Sequence, residues 1–173
     1  MNTRILIILS LLVGIGAVLH AVVPPVLFGV KPDMLLAMMF LGILLFPKIK
    51  YVAILSIATG VVSALTTTAP GGQIANLIDK PLTAMLFLAM FIVIKDRMNP
   101  SYSAPALTAV GTMISGAIFL STALFLIGLM DGSFIALFGI AVLPAALLNT
   151  VIMAVVYPIV QKILKRSQPL IIT

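Results

Sequence analysis

Between its charged residues this chain leaves long stretches that carry none, at 5–30, 34–47, 51–78, 81–94, 98–130 and 132–161. Helices drawn from such runs have no polar face to turn toward water. A bilayer core of about 30 Å takes roughly 20 apolar helical residues to cross. The first, third, fifth and sixth runs are long enough. The second and fourth give only about 21 Å of helix at about 1.5 Å per residue. They cross if their ends extend into flanking charged residues or if the bilayer thins locally. Composition agrees: 62% of residues are hydrophobic and 8% charged, where a soluble domain carries about a quarter charged. The expectation is an all-α polytopic membrane protein, a single domain over 1–173 with six transmembrane helices.

The basic residues orient it. With the amino terminus inside, Arg4, Lys48, Lys50, Lys95, Arg97, Lys162, Lys165 and Arg166 fall on the cytoplasmic side, and only Lys31 and Lys80 fall outside. That asymmetry follows the positive-inside rule and places both termini in the cytoplasm. The first run exceeds the apolar core of a signal peptide and a multispan chain follows it, so it is expected to be retained as a helix. The net charge of +6 reflects this topology. Its basic residues are scattered between apolar runs, which gives no nucleic-acid surface.

Several chemistries are absent. With no cysteine and one histidine, thiolate metal sites and disulfides are excluded. No GxxxxGK[ST] or HExxH motif occurs, so the chain does not itself hydrolyse ATP and offers no zinc-protease site. The acids are four aspartates. No enzyme activity, cofactor or metal is expected.

The two outer lysines sit in matching surroundings. Lys31 lies in "GVKPDM" and Lys80 in "LIDKPL", each beside an Asp and a Pro and each just before a short run. The runs resemble one another: "LLAMMFLGILLFPK" (35–48) aligns with "LTAMLFLAMFIVIK" (82–95) at an offset of 47. Short hydrophobic segments in corresponding positions point to a transporter's binding site. Helices two, four and six start on the outer side, so their positive dipole ends face one mouth and favour a carboxylate. Lys31 and Lys80 add positive charge, and Asp33 and Asp79 accept from an ammonium. A zwitterion fits that mixture. The plainer alternative is that Asp33 caps helix two, Pro81 opens helix four and the pairs are solvated. Between them, "TTTAPGGQIANLIDKP" supplies Gly71 and Gly72 for an irregular loop and Gln73 and Asn76 as amide partners.

Within the spans, Asn149 needs either a neighbouring helix or a ligand as partner. His20 reads as a structural or interfacial residue, Thr66, Thr67 and Thr68 as mouth or backbone-bonded residues, and Tyr51 and Tyr157 as interface anchors. Two small-residue faces, Ser10–Gly14–Ala17–Ala21 and Ser56–Gly60–Ser63–Thr67, permit close helix approach. Each is either an internal seam or a docking face.

"GAVLHAVVPPVLFGVKPDMLLAMMFLGILLFPKIK", "SALTTTAPGGQIANLIDKP" and "LPAALLNTVIMAVVYPIVQKILKR" closely resemble the TrpP family of bacterial tryptophan transporters, which is similar to the substrate-binding S-components of energy-coupling factor transporters. The resemblance implies an S-component-like bundle in the plasma membrane and tryptophan uptake. It implies Lys80 or Lys31 for the carboxylate, Asp79 or Asp33 for the ammonium, Asn149 for the indole N–H, and Phe28, Phe40 or Phe87 for stacking. It also implies a membrane coupling subunit with ATPases docking on Ser10–Gly14–Ala17–Ala21, or alternatively independent transport. A vitamin-binding S-component and a non-transporting scaffold resembling the rod-shape protein MreD remain the other classes.

Overall fold

The computed structural model describes residues 2–26 and 29–166. It is helical throughout these residues: α1 (Thr3–Val22), α2 (Met34–Leu45), α3 (Ile49–Thr66), α4 (Gly72–Ile94), α5 (Pro100–Ser121, prolonged by a π turn at Thr122–Ile127) and α6. The last begins at Phe134–Leu137, widens through a π turn at Phe138–Val142 and runs on as Leu143–Arg166.

Capping explains several starts. The Asn2 side chain accepts from the Arg4 N–H at 3.0 Å, and Asn99 accepts from the Ser101 N–H at 3.0 Å with Pro100 at the first position. Asp33 accepts from the Leu36 N–H at 3.0 Å, and Gly71, at φ +69°, turns the chain into α4.

The apolar faces point the opposite way from those of a soluble protein. Ile7, Leu11, Ile15 and Val18 are exposed on α1, as are Leu143, Leu147, Val151 and Val155 on α6. Their three- and four-residue spacing makes continuous stripes suited to lipid or to another apolar membrane surface. Five helical segments, all but α2, are long and apolar enough to cross a bilayer.

The short helix α2 solves its length problem by avoiding lipid. Every residue from Met34 to Leu44 is buried, with α1, α3, α4, α5 and α6 around it. Gly42 lets α3 and α1 approach closely, since a Cβ there would lie 2.6 Å from Leu55 Cδ2 and 3.2 Å from Leu9 Cδ2 and would push those leucine ends aside.

Helix four is not short. It starts at Gly72, and Pro81 lies inside it rather than at its first position. A proline in a membrane helix costs one backbone bond, which neighbouring helices and local adjustment make tolerable. Tyr51 and Tyr157 are also corrected: both lie in the core rather than at a lipid interface. The Tyr51 hydroxyl accepts from the Asn2 N–H at 3.0 Å, and that of Tyr157 accepts from Gln161 Nε2 at 2.7 Å.

Phe40 and Phe87 stack at 4.1 Å between centroids, 6° from parallel, and both are fully buried. Gly111 of α5 lies against them; a Cβ there would be 2.7 Å from Phe87 and 2.9 Å from Phe40. Gly111→Ala gains about 1 kcal/mol of helix propensity, but overpacking costs about 1–3 kcal/mol and the enclosed rings cannot retreat. The expected result is a lower thermal midpoint in detergent. Orientation is testable because the chain has no cysteine. In intact cells an impermeant maleimide should label Asp131→Cys, in the α5–α6 loop, and not Asp96→Cys after α4.

Candidate substrate-binding site

A cavity of about 310 Å³ opens among α2, α3, α4, α5 and α6 in the half of the bundle that the basic residues assign to the outside. Its polar residues include His20, Lys31, Asp33, Asn76, Asp79 and Lys80, with Ser63, Thr112 and Ser115. Leu36, Phe119, Leu120 and Val142 supply apolar wall.

A charge cluster organises the cavity. Lys80 Nζ donates to Asp33 Oδ2 at 2.9 Å and to Asp79 Oδ2 at 3.0 Å. Asp79 also accepts from Thr83 Oγ1 at 2.7 Å and Ser115 Oγ at 2.7 Å. Its side chain is fully enclosed, whereas 29% of the Asp33 side chain is exposed. The two carboxylates therefore differ in kind. Asp79 holds Lys80, and Asp33 remains open to the cavity.

The sequence-derived pairs are thus rearranged. Lys31 directs its ammonium to the His20 carbonyl at 3.1 Å, at the exposed rim, while Asp33 turns to Lys80. Asp79 and Lys80 are buried within α4 rather than placed in an outer loop. Seven residues on from the helix start, Asp79 sits about 10 Å below it.

Asn76 lines the cavity, with its amide nitrogen bonded to the Gly72 carbonyl at 2.9 Å and the Ser63 carbonyl at 3.5 Å. Gln73 is exposed and away from the cavity. Asn149 is fully buried and donates to Thr112 Oγ1 at 3.3 Å; Thr112, not Asn149, faces the cavity. Phe40 and Phe87 stack on each other outside the cavity lining, which removes them as stacking partners. Phe28 lies outside the described residues. Phe119 is the aromatic residue in the lining.

Sequence reasoning missed Thr83 and Ser115. Thr83 stands one turn from Asp79 and was open to the four-residue rule; Ser115, 36 residues away, carries no local signal. The seam Ser56–Gly60–Ser63 faces inward, with Gly60 against the Asn76 carbonyl and Lys80 Cβ. On α1, by contrast, Ser10 and Gly14 are exposed, and nothing lies within 4 Å of a Cβ built on Gly14.

A multispan bundle enclosing a charged, solute-sized cavity between its helices defines an integral membrane protein with an internal binding site. Comparison with known proteins gives that class a family. The family model for the tryptophan transporter TrpP matches residues 2–165. A probable tryptophan transport protein of Bacillus subtilis (strain 168) is 52% identical over 167 residues, 96% of each chain. Proteins of the same description from Clostridium acetobutylicum and Clostridium perfringens are 41% identical over 94% of each chain and 36% identical over 96% of each chain. The chain belongs to the TrpP family and is a multi-pass protein of the plasma membrane. No solved structure matches it.

The cluster should dominate stability. Lys80→Met strands the enclosed Asp79 carboxylate and leaves the partly exposed Asp33 without its ammonium, and breaking a buried ion pair from one side costs about 3–5 kcal/mol. The thermal midpoint in detergent should fall sharply. Adding Asp79→Asn to Lys80→Met should recover part of that loss, because one uncompensated charge is removed.

Proposed function

We propose that this chain takes tryptophan up across the plasma membrane and binds it as a zwitterion on the Asp33–Lys80 pair. The observation that carries the proposal is the 2.9 Å contact between Asp33 Oδ2 and Lys80 Nζ at the cavity wall. It presents opposite charges at a spacing comparable to that between the ammonium and carboxylate of an α-amino acid. Laid antiparallel on this pair, the amino acid directs its ammonium to the partly exposed Asp33. Its carboxylate takes the N–H of Lys80 left after the two bonds to aspartates. Asp79 holds Lys80, and Lys31 adds positive charge at the rim. The cavity volume suits one small solute, and the family supports tryptophan as that solute.

Transport is preferred to the alternatives for stated reasons. A scaffold has no need of a solute-sized cavity walled by a partly exposed charge pair. Transport also accounts for the buried polar residues without any bond-making chemistry. A vitamin carrier is the nearer rival, and a ligand panel separates it.

For energy coupling, the open α1 groove lined by Ser10, Leu11, Gly14 and Val18 supports docking of a membrane coupling subunit with ATPases. Gly14→Leu should then abolish cellular uptake and leave binding by purified protein unchanged. Equal loss of both, or of neither, argues against the docking role.

Because the chain has no tryptophan, the ligand's indole emission reports binding without background from protein tryptophan. Tryptophan should bind, with tryptamine and indole-3-propionate each weaker by about 10- to 100-fold, the worth of one charge-assisted hydrogen bond. Asp33→Asn should weaken tryptophan and spare indole-3-propionate. Riboflavin binding in place of tryptophan would reject the proposal.

A further inference from the structure

Most buried polar side chains in a folded protein have a partner, so those that lack one in a cavity mark where a ligand atom is missing. Among the described residues, four buried side-chain atoms are without partners: His20 Nδ1, Thr59 Oγ1, Ser63 Oγ and Asn149 Oδ1. Only His20 and Ser63 of these line the cavity. His20 belongs to the charged end, with Nδ1 3.9 Å from Asp33 Oδ1 and its carbonyl held by Lys31. Ser63 stands apart from the charges. It projects from α3, 6% exposed, one turn outward of Gly60, which lies against Lys80 Cβ.

An indole N–H donates and cannot accept, so its site must offer an acceptor. The other hydroxyls along the cavity keep acceptor lone pairs but already have a protein partner or face water, whereas Ser63 has none. Thr66 donates to the Val62 carbonyl at 2.8 Å, and Thr67 accepts from the Ala69 N–H at 3.3 Å. Thr112 accepts from Asn149 and Ser115 donates to Asp79, while Thr68 is exposed. Outward of Thr112 and Ser115, the α5–α6 side of the cavity is apolar through Phe119, Leu120 and Val142, and tightly set at Gly116, whose missing Cβ would run into Val142. A flat ring laid against that side, with its amino-acid end on Asp33 and Lys80, turns its remaining edge toward α3.

We propose that the Ser63 hydroxyl accepts the indole N–H of bound tryptophan and so selects it over aromatic amino acids without that donor. This deepens the tryptophan-binding reading and rests on it. It also replaces Asn149, which is bonded to Thr112 behind the cavity lining, as the indole's partner.

The test titrates purified protein calorimetrically with tryptophan and with benzothienylalanine, which replaces the indole N–H by sulfur in a ring of nearly the same shape. Wild-type protein should prefer tryptophan by about three- to tenfold. Ser63→Ala should weaken tryptophan by about three- to tenfold, the range of a neutral hydrogen bond, and leave benzothienylalanine unchanged, which also shows that the variant folds. Should the alanine variant bind neither ligand, Ser63→Cys, of similar shape but a weaker acceptor, decides. It should weaken tryptophan alone. Equal weakening of both ligands in the deciding variant, or no wild-type preference, overturns the assignment while leaving tryptophan binding in place. Wild-type protein that binds neither ligand removes the tryptophan-binding reading itself.

Discussion

Two carboxylates and one ammonium inside an apolar bundle fix where the helices stand. Charges taken out of water are tolerated only when their partners are held in place. Lys80 therefore ties the start of α2, through Asp33, to the interior of α4, through Asp79. Ser115 extends the tie to α5, and Gly60 brings α3 against the Lys80 stem. Four helices meet at one cluster, and the cavity is the space that the cluster and the apolar side of α5 and α6 leave between them. Asp33 serves twice, capping α2 with one oxygen and pairing with Lys80 through the other. The same residue thus sets where the central helix begins and what charge the cavity presents.

The resemblance between the second and fourth apolar runs acquires a physical meaning in this light. Helices α2 and α4 both run from the outer side inward. Residues 47 apart touch at two levels: Asp33 with Lys80 near the outer end, and Phe40 with Phe87 two turns deeper. Ala37 and Ala84, between them in register, are both fully buried. A seven-residue step from ion pair to ring stack is the spacing of a parallel helix seam. The offset read from the sequence is the register at which the helices pair. Similar residues at equivalent depths meet similar surroundings, which accounts for the likeness whatever its origin.

Long uncharged runs and the basic-residue asymmetry made the helix count and orientation legible, because a bilayer punishes unpaired charge and exposed backbone. The same logic misplaced the start of α4. Cutting the chain at charges assumes that charges lie outside the membrane, and Asp79 and Lys80 remain inside because each neutralises the other. Pro81 reinforced the error, since its usual place is a helix's first turn. Asp33, Asn76, Asp79 and Lys80 were chosen for chemistry and all line the cavity. Gln73 had the same chemistry but falls on an exposed face of α4, and Asn149 is engaged by Thr112. Facing direction follows from long-range packing, which no local pattern of residue types contains. Ser63 appeared in the sequence only as one small residue in a seam. Its importance comes from an unpartnered hydroxyl, visible only once the surrounding donors and acceptors are counted.

A transporter must bind its solute and also release it, which limits how much charge its site can leave unpaired. A lone buried lysine would hold a carboxylate tightly and would cost stability whenever empty. Here the lysine is compensated in the empty state by two aspartates, and the enclosed one is further held by Thr83 and Ser115. A zwitterion adds no net charge to this arrangement. Bound as proposed, it would exchange some contacts with water for contacts with Asp33 and Lys80, and its departure would restore a cluster already paired without it. On the proposed pose, selectivity would fall to the ring, which would meet the apolar wall of Phe119 and Val142 beside Gly116. An ion cluster already paired in the empty state would thus reconcile a charged site with turnover and leave the neutral lining to decide which amino acid is carried.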